Sequence, residues 1–268
     1  MNILICVKQV PDTTEVRINQ ETGTLIRAGV PSILNPYDAY AMEAAVRIKE
    51  SNPDTKIVVI SMGPESATEV LRECLAISAD KAYLMSDPKF GGSDTLATAY
   101  ILYMAMKELE KKEGTFDLVF CGNQAIDGET AQVGPELAEY LKYPQVAGVL
   151  EIKHIENNLL ELLHAGELQD NLITIQMPCV CMFAKSDQEV RPATIRNLLA
   201  AKNVEIPTLR FDDFADMDLS RIGLHGSHTK VIKTFIPEKR KNGLLLQNGS
   251  TQEKVGKVLQ LLDVQQLI

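Results

Sequence analysis

At 268 residues, 45% hydrophobic and 24% charged, the chain is long enough to bury a full core and has an ordinary soluble, globular composition. A formal net charge of −9 argues against the basic face of a nucleic-acid binder, and no apolar run reaches the roughly 18–20 residues that cross a bilayer. Five cysteines, an odd number with a C-x-C pair at Cys179 and Cys181, suggest neither a disulfide framework nor a metal site.

The N-terminal MNILICVKQVPD lacks the basic start, long apolar stretch and small-residue cleavage site of a signal peptide. It reads as the first strand of a cytoplasmic protein. Over residues 1–150, short β-rich runs (3–7, 56–61, 81–85 and 116–121) alternate with stretches of helical spacing (37–49, 64–78, 93–112 and 131–142). The second helix begins either with Pro64 at its first position or with Ser66 and Glu69 as a capping box. Strands alternating with helices imply right-handed βαβ units. The expected fold is therefore α/β, a Rossmann-like parallel sheet with helices on both faces.

Residues 11–35 interrupt the rhythm, with VRIN and TLIR flanking NQETG as a small hairpin. So long a strand-to-helix connection tends to be functional. After about residue 145, VLEIKHIE, LLELLHAG and LITIQMPCVCMF read as strands of an antiparallel extension. In PCVCMF, strand alternation puts both thiols on one buried face. RPATIRNLLAAKN supplies one short helix. From Val204 the pattern turns irregular, yet Ile206, Leu209, Phe211, Phe214, Leu219, Ile222 and Phe235 are too apolar for a free linker. The chain divides into an α/β nucleotide-binding domain, 1–203, and a C-terminal arm, 204–268, lying along another protein. Ser250 and Glu253 start the arm's final helix as a capping box, and Lys239, Arg240 and Lys241 read as a solvated turn.

The chemistry is expected in loops at strand carboxyl ends, where open α/β sheets bind ligands. In CGNQAIDGETAQVGPELAEYL a strand is followed by Gly122, Asn123, Gln124, Ala125, Ile126, Asp127, Gly128, Glu129, Thr130, Ala131, Gln132 and Val133, then a helix with Pro135 in its first turn. The stretch holds no Lys or Arg, so a phosphate there would meet main-chain N–H groups of residues 130–133 and the helix dipole, helped by Thr130 and Gln132. Gly128 suits close approach or positive φ. Asp127 suits a ribose hydroxyl or an Asx-turn. In FGGSDTLAT, Ser93, Asp94 and Thr95, with Thr98 one turn on, read either as a helix cap or as ligand donors. Asn35, Pro36, Tyr37 and Asp38 open the first helix; Met62 and Gly63 follow the second strand; Cys6, Val7 and Lys8 end the first. Neither GxGxxG nor the Walker spacing is present.

With these residues assembled, the chain resembles the beta subunit of electron-transfer flavoprotein. The likeness runs through NILICVKQVPD, NPYDAYAMEAAVRIKE, VISMGPESATEVLRECLAISAD, CGNQAIDGETAQVGP and RPATIRNLLAAKNVEIPTL, essentially the whole chain. The resemblance implies an obligate heterodimer whose alpha subunit carries an FAD and is embraced by the C-terminal arm. It also implies AMP at Cys6, Asn35 to Asp38, Met62 and Gly122 to Val133, or a second FAD with its adenosine in the same place. VKQVPDT, GTLIR-x-GVPSI-x-NP and GSDT-x-AT resemble the branch with a second FAD. There NADH delivers a hydride, one electron goes to ferredoxin or flavodoxin, and the other goes through the alpha-subunit flavin to an acyl-CoA or related dehydrogenase. RPATIRNLLAAK resembles the loop that meets partner dehydrogenases, with Ile195, Asn197, Leu198 and Leu199 as partner-binding residues. Ala200, Ala201 and Lys202 stand where ordinary members often carry a lysine cluster, which suggests a partner other than the usual acyl-CoA dehydrogenases.

Two rival classes fit less of the chain. A PP-loop ATP enzyme would place its glycine motif in the first strand–helix turn, where this chain has VKQVPDTT. An adenine-nucleotide sensor resembling universal stress proteins would leave the tail without a purpose. No nucleophile–base pair is visible, and His154, His164, His225 and His228 are dispersed. That fits a subunit whose chemistry resides in a flavin, and not an enzyme on its own.

Overall fold

The computed structural model describes residues 1–12, 31–232 and 243–267. They belong to two units, 1–12 with 31–232 in the first and 243–267 in the second. The expected hairpin, the basic triplet 239–241 and Phe235 lie outside the described residues.

Strand β1 (Asn2–Cys6) is the axis of the first unit. A short antiparallel pair follows, β2 (Gln9–Pro11) with β3 (Ser32–Leu34), and closes the base of the long excursion. Next come α1 (Pro36–Ser51), β4 (Lys56–Met62), α2 (Thr68–Ile77), β5 (Lys81–Met85), α3 (Thr95–Glu113), β6 (Leu118–Gly122) and α4 (Val133–Leu141). Pro36 occupies the start of α1, where a missing N–H costs nothing. Of the two starts expected for the second helix, neither forms. A 3-10 turn, Glu65–Ala67, precedes α2, and the Ser66 hydroxyl instead donates to Gln9 Oε1 at 2.9 Å.

The remaining strands are β7 (Gln145–Glu156), β8 (Leu159–His164), β9 (Asn171–Gln176), β10 (Cys179–Phe183) and β11 (Thr208–Leu209). Helices α5 (Ile195–Ala201) and α6 (Gly223–Gly226) lie around them. The nine-stranded sheet runs β11-β5-β4-β1-β6-β10-β7-β8-β9, parallel from β11 to β7 and antiparallel through β8 and β9. The antiparallel extension is as expected, with one difference. LITIQMPCVCMF is two strands, and its second half slots between β6 and β7 as an interior parallel strand. Cys179 and Cys181 are both fully buried in one core layer, with α1 and α2. The opposite layer holds α3 and α4. Helices thus cover both faces.

The expected boundary at Val204 needs correction. Leu209 joins β11 to the sheet, and Phe214, Met217 and Ile222 are buried in the α3–α4 layer. Arg221 stacks on the Tyr100 ring at 4.0 Å. Residues 204–232 therefore bury Leu209, Phe214, Met217 and Ile222 against their own domain, using single pairings and 3-10 turns in place of a repeating element, while Leu219, Leu224, Val231 and Ile232 stay exposed. The second unit contains α7 (Thr251–Val264), opened by the expected capping box. Ser250 Oγ accepts from the Glu253 N–H at 3.3 Å, and Glu253 Oε2 accepts from the Ser250 N–H at 2.7 Å. Among the described residues no helix is long and apolar enough to cross a membrane.

Candidate nucleotide-binding site

The carboxyl ends of β1, β4 and β6, the loop before α1 and the first turn of α3 converge on a cleft of about 330 Å³. Asp38 holds its frame. One carboxylate oxygen accepts the Lys8 N–H at 2.7 Å and the other the Gly122 N–H at 2.8 Å, so α1 is tied to the ends of β1 and β6. Burial pushes the Asp38 carboxyl up to about 7, against the hydrogen bonds from Lys8, Asn35 and Gly122 that hold it down. Asn35 adds a second tie, donating to the Gln124 carbonyl at 2.9 Å and accepting the Ile126 N–H at 3.3 Å. A Cβ on Gly122 would lie 2.5 Å from Asp38 Oδ1 and 2.6 Å from Tyr37 Cβ, so only glycine admits α1 this close.

Beyond Gly122 the loop presents its main chain to the cleft. Glu129 and Ala131 both have φ of 53°, the left-handed region that side chains disfavour. Backbone held there in a loop points to function. Gly128, expected to take that role, does not have positive φ, and nothing lies within 4 Å of where its Cβ would be. Gln132 caps α4 with its backbone. Among the described residues the N–H groups of Thr130, Ala131, Gln132 and Val133 donate to no protein acceptor. Pro135 falls in the first turn, as expected.

Of the expected site residues, Cys6, Val7, Lys8, Asn35, Asp38, Met62, Ser93, Asp94, Thr95, Thr98, Gly122 to Ala125 and Gly128 to Val133 line the cleft. Pro36, Tyr37, Gly63, Ile126 and Asp127 do not. Asp127 pairs with Lys8 Nζ at 2.6 Å. Lys8 is the one Lys or Arg among the lining residues described, so an anion meets mostly neutral donors. Leu102, Cys121 and Gly134 also line the cleft, beyond the residues that the sequence patterns single out. Leu102 stands one helical turn beyond Thr98, and Cys121 is the register partner of Cys6, so the signals were present. Cys6 and Cys121 are buried thiols forming an apolar floor; burial raises both, Cys6 to about 12.

The α3 start acts both as a cap and as a wall. Asp94 Oδ1 accepts the Ala97 N–H at 3.0 Å, and Oδ2 accepts the Thr229 N–H at 3.0 Å and hydroxyl at 3.1 Å. The carboxylate is thus engaged by its own chain, whereas Thr95 and Thr98 line the cleft. Away from the cleft, α5 is anchored on α2. Asn197 Nδ2 donates to the Ala76 carbonyl at 3.0 Å, and Arg72 donates to the carbonyls of Ala201, Lys202 and Val204. Ile195, Leu198 and Leu199 are exposed on it at 79%, 45% and 65%. Asn197 therefore positions the helix, and three aliphatic side chains face out.

A βαβ domain with its cleft at the carboxyl ends of the strands, where the strand order reverses, defines a protein of the doubly wound α/β class. Residues 22–213 match the electron transfer flavoprotein domain, and the chain belongs to the beta-subunit family of electron transfer flavoproteins. It is 46% identical to the electron transfer flavoprotein subunit beta of Megasphaera elsdenii over 100% of both chains. It is 42% identical to the caffeyl-CoA reductase-Etf complex subunit CarD of Acetobacterium woodii, again over 100% of both. It is 37% identical to the protein FixA of Azorhizobium caulinodans, covering 90% of this chain and 86% of that one.

Proposed function

We propose that this chain is the beta subunit of a heterodimeric electron-transfer flavoprotein working in the cytoplasm, and that its cleft holds an FAD. Bound there, FAD would supply hydride acceptance from NADH and the division of electrons between ferredoxin or flavodoxin and, through an alpha-subunit FAD, an acyl-CoA or related dehydrogenase. The observation that carries the reading is that two helix starts face one cleft. Residues 130–133 at α4 offer main-chain donors for phosphate; Thr95 and Thr98 at α3 offer hydroxyls on a second wall, more than an AMP requires. Cys6, Met62 and Leu102 give the apolar surface against which flat rings pack.

The chain's own part is to bind, orient and exclude water. Asp38 and Asn35 fix the loop, and residues 130–133 take the phosphates. Ile195, Leu198 and Leu199 present an apolar face to the dehydrogenase. The relative named for a caffeyl-CoA reductase complex supports a CoA-ester reductase or dehydrogenase as that partner. Residues 243–267, carrying α7, serve as the arm that embraces the alpha subunit, consistent with Val255, Val258 and Leu259 being exposed along it.

Two observations favour a second reading, AMP in the same cleft. The Asp94 carboxylate is saturated by its own chain, and about 330 Å³ is near the small end of ligand pockets. The test of the FAD reading is anaerobic mixing of the purified heterodimer with NADH, ferredoxin, the partner dehydrogenase and its acceptor. Ferredoxin reduction that requires the acceptor supports the proposal. No reaction with NADH contradicts it.

A further inference from the structure

Two carboxylates meet at the α3 end of the cleft. Asp94 caps α3 there. Glu136, in the first turn of α4, faces Thr95: its Oε1 accepts the Thr95 hydroxyl at 3.1 Å, while Oε2 is buried with no hydrogen-bond partner among the described residues. Burial raises the Glu136 acid, the Thr95 bond lowers it, and the nearby Asp94 charge raises it again. Gln132 Oε1, 3.5 Å from the same hydroxyl, is a further acceptor and adds no positive charge. The one lining cation described, Lys8, is held by Asp127.

A threonine hydroxyl has one proton to give. With that proton on Glu136, the Thr95 oxygen offers the cleft lone pairs only. The Ala97 N–H in the first turn of α3 already donates to the Asp94 carboxylate, whose charge offsets the dipole that would draw a phosphate. The two carboxylates repel one as well. In the stretch leading into α4, residues 130–133 present N–H groups that meet no protein acceptor among the described residues.

We infer that Glu136 is a positioning residue that divides the cleft into two chemistries. The main-chain donors of residues 130–133 receive phosphate, and Thr95, held as an acceptor by Glu136, receives the neutral hydroxyls of a polyol such as a flavin nucleotide's ribityl chain. This rests on the FAD reading above and assigns the α3 wall to the sugar-alcohol part of the ligand, excluding phosphate from it.

The test uses the co-purified heterodimer, freed of second-site nucleotide and titrated with FAD and, separately, with AMP. Glu136→Leu removes the acceptor and is expected to weaken FAD about tenfold, roughly 1.4 kcal/mol, with AMP affinity unchanged. Thr95→Val is expected to show the same loss. The double variant is expected to lose no more than either, because the two groups act as one unit. Glu136→Gln, which keeps an acceptor oxygen, is expected to restore most of the FAD affinity. Unchanged FAD binding in Glu136→Leu would overturn the inference; so would a parallel loss of FAD and AMP, the mark of a merely structural residue, and so would additive losses. A wild-type heterodimer that takes AMP but no FAD at this site would overturn the FAD reading itself, and the inference with it. That outcome is visible before any variant is made.

Discussion

Asp38 shows how one buried side chain can define a site. It accepts main-chain N–H groups from the ends of two neighbouring strands, and the glycine at one of those ends is required by the same close approach. Its folded acid, near 7, lies above the roughly 3.9 of an unfolded aspartate. The folded state therefore holds the proton more tightly. The stability this contributes is full below about pH 4 and is lost as pH rises through about 7. In Asp38→Asn the amide has one acceptor oxygen for two N–H donors, so one donor loses its partner, at a cost of about 1–3 kcal/mol. The variant should be less stable at pH 5 and should lack the decline between pH 4 and 7. Urea midpoints across that range check this; a wild-type pH profile in the variant would show that Asp38 does not titrate there.

At the scale of elements, the family-like RPATIRN segment combines an anchor with a display. Arg191 donates to Glu43 at 2.8 and 3.0 Å and to Glu50 at 3.1 Å, clamping the segment to α1. Burial works to raise the Glu43 acid, but the hydrogen bonds from Arg191 and Arg47 outweigh it and hold the group at about 2. Removing Arg191 leaves a carboxylate that is 3% exposed with one arginine fewer. Arg191→Ala is expected to cost about 3 kcal/mol, the low end for a broken buried pair, since Arg191 itself is a third exposed. The Glu43 acid is depressed, so its contribution is present above about pH 4.3 and is lost as pH falls toward 2. Thermal unfolding of both proteins at pH 7 and pH 2.5 checks this: the gap should narrow at the lower pH, and a gap independent of pH would contradict the assignment.

These elements also show what the sequence makes legible. Alternating periods place β1 to α4 within a few residues, and the strand-end loops place most of the cleft. The position of β10 between β6 and β7 is invisible to periodicity, because strand order is set by pairing across the fold. Residues 204–232 read as unburied for a related reason: Phe214 and Ile222 reach the core without a repeating element around them. The double duty of Asp94 depends on Thr229, 135 residues away, which no local spacing reveals.

For the whole molecule, the first unit carries a cleft at the carboxyl edge of its sheet and a displayed aliphatic face on α5, and the second unit holds its own capped helix. That arrangement suits a subunit that holds a redox nucleotide and is read by other proteins. The central claim is what the cleft holds, and the most direct measurement is the nucleotide content of the heterodimer co-expressed with its alpha subunit. The nucleotides are released by denaturation and quantified by chromatography. Two FAD and no AMP per heterodimer is the expected result. One FAD and one AMP would contradict it, reducing Thr95 and Thr98 to the wall beside a structural nucleotide.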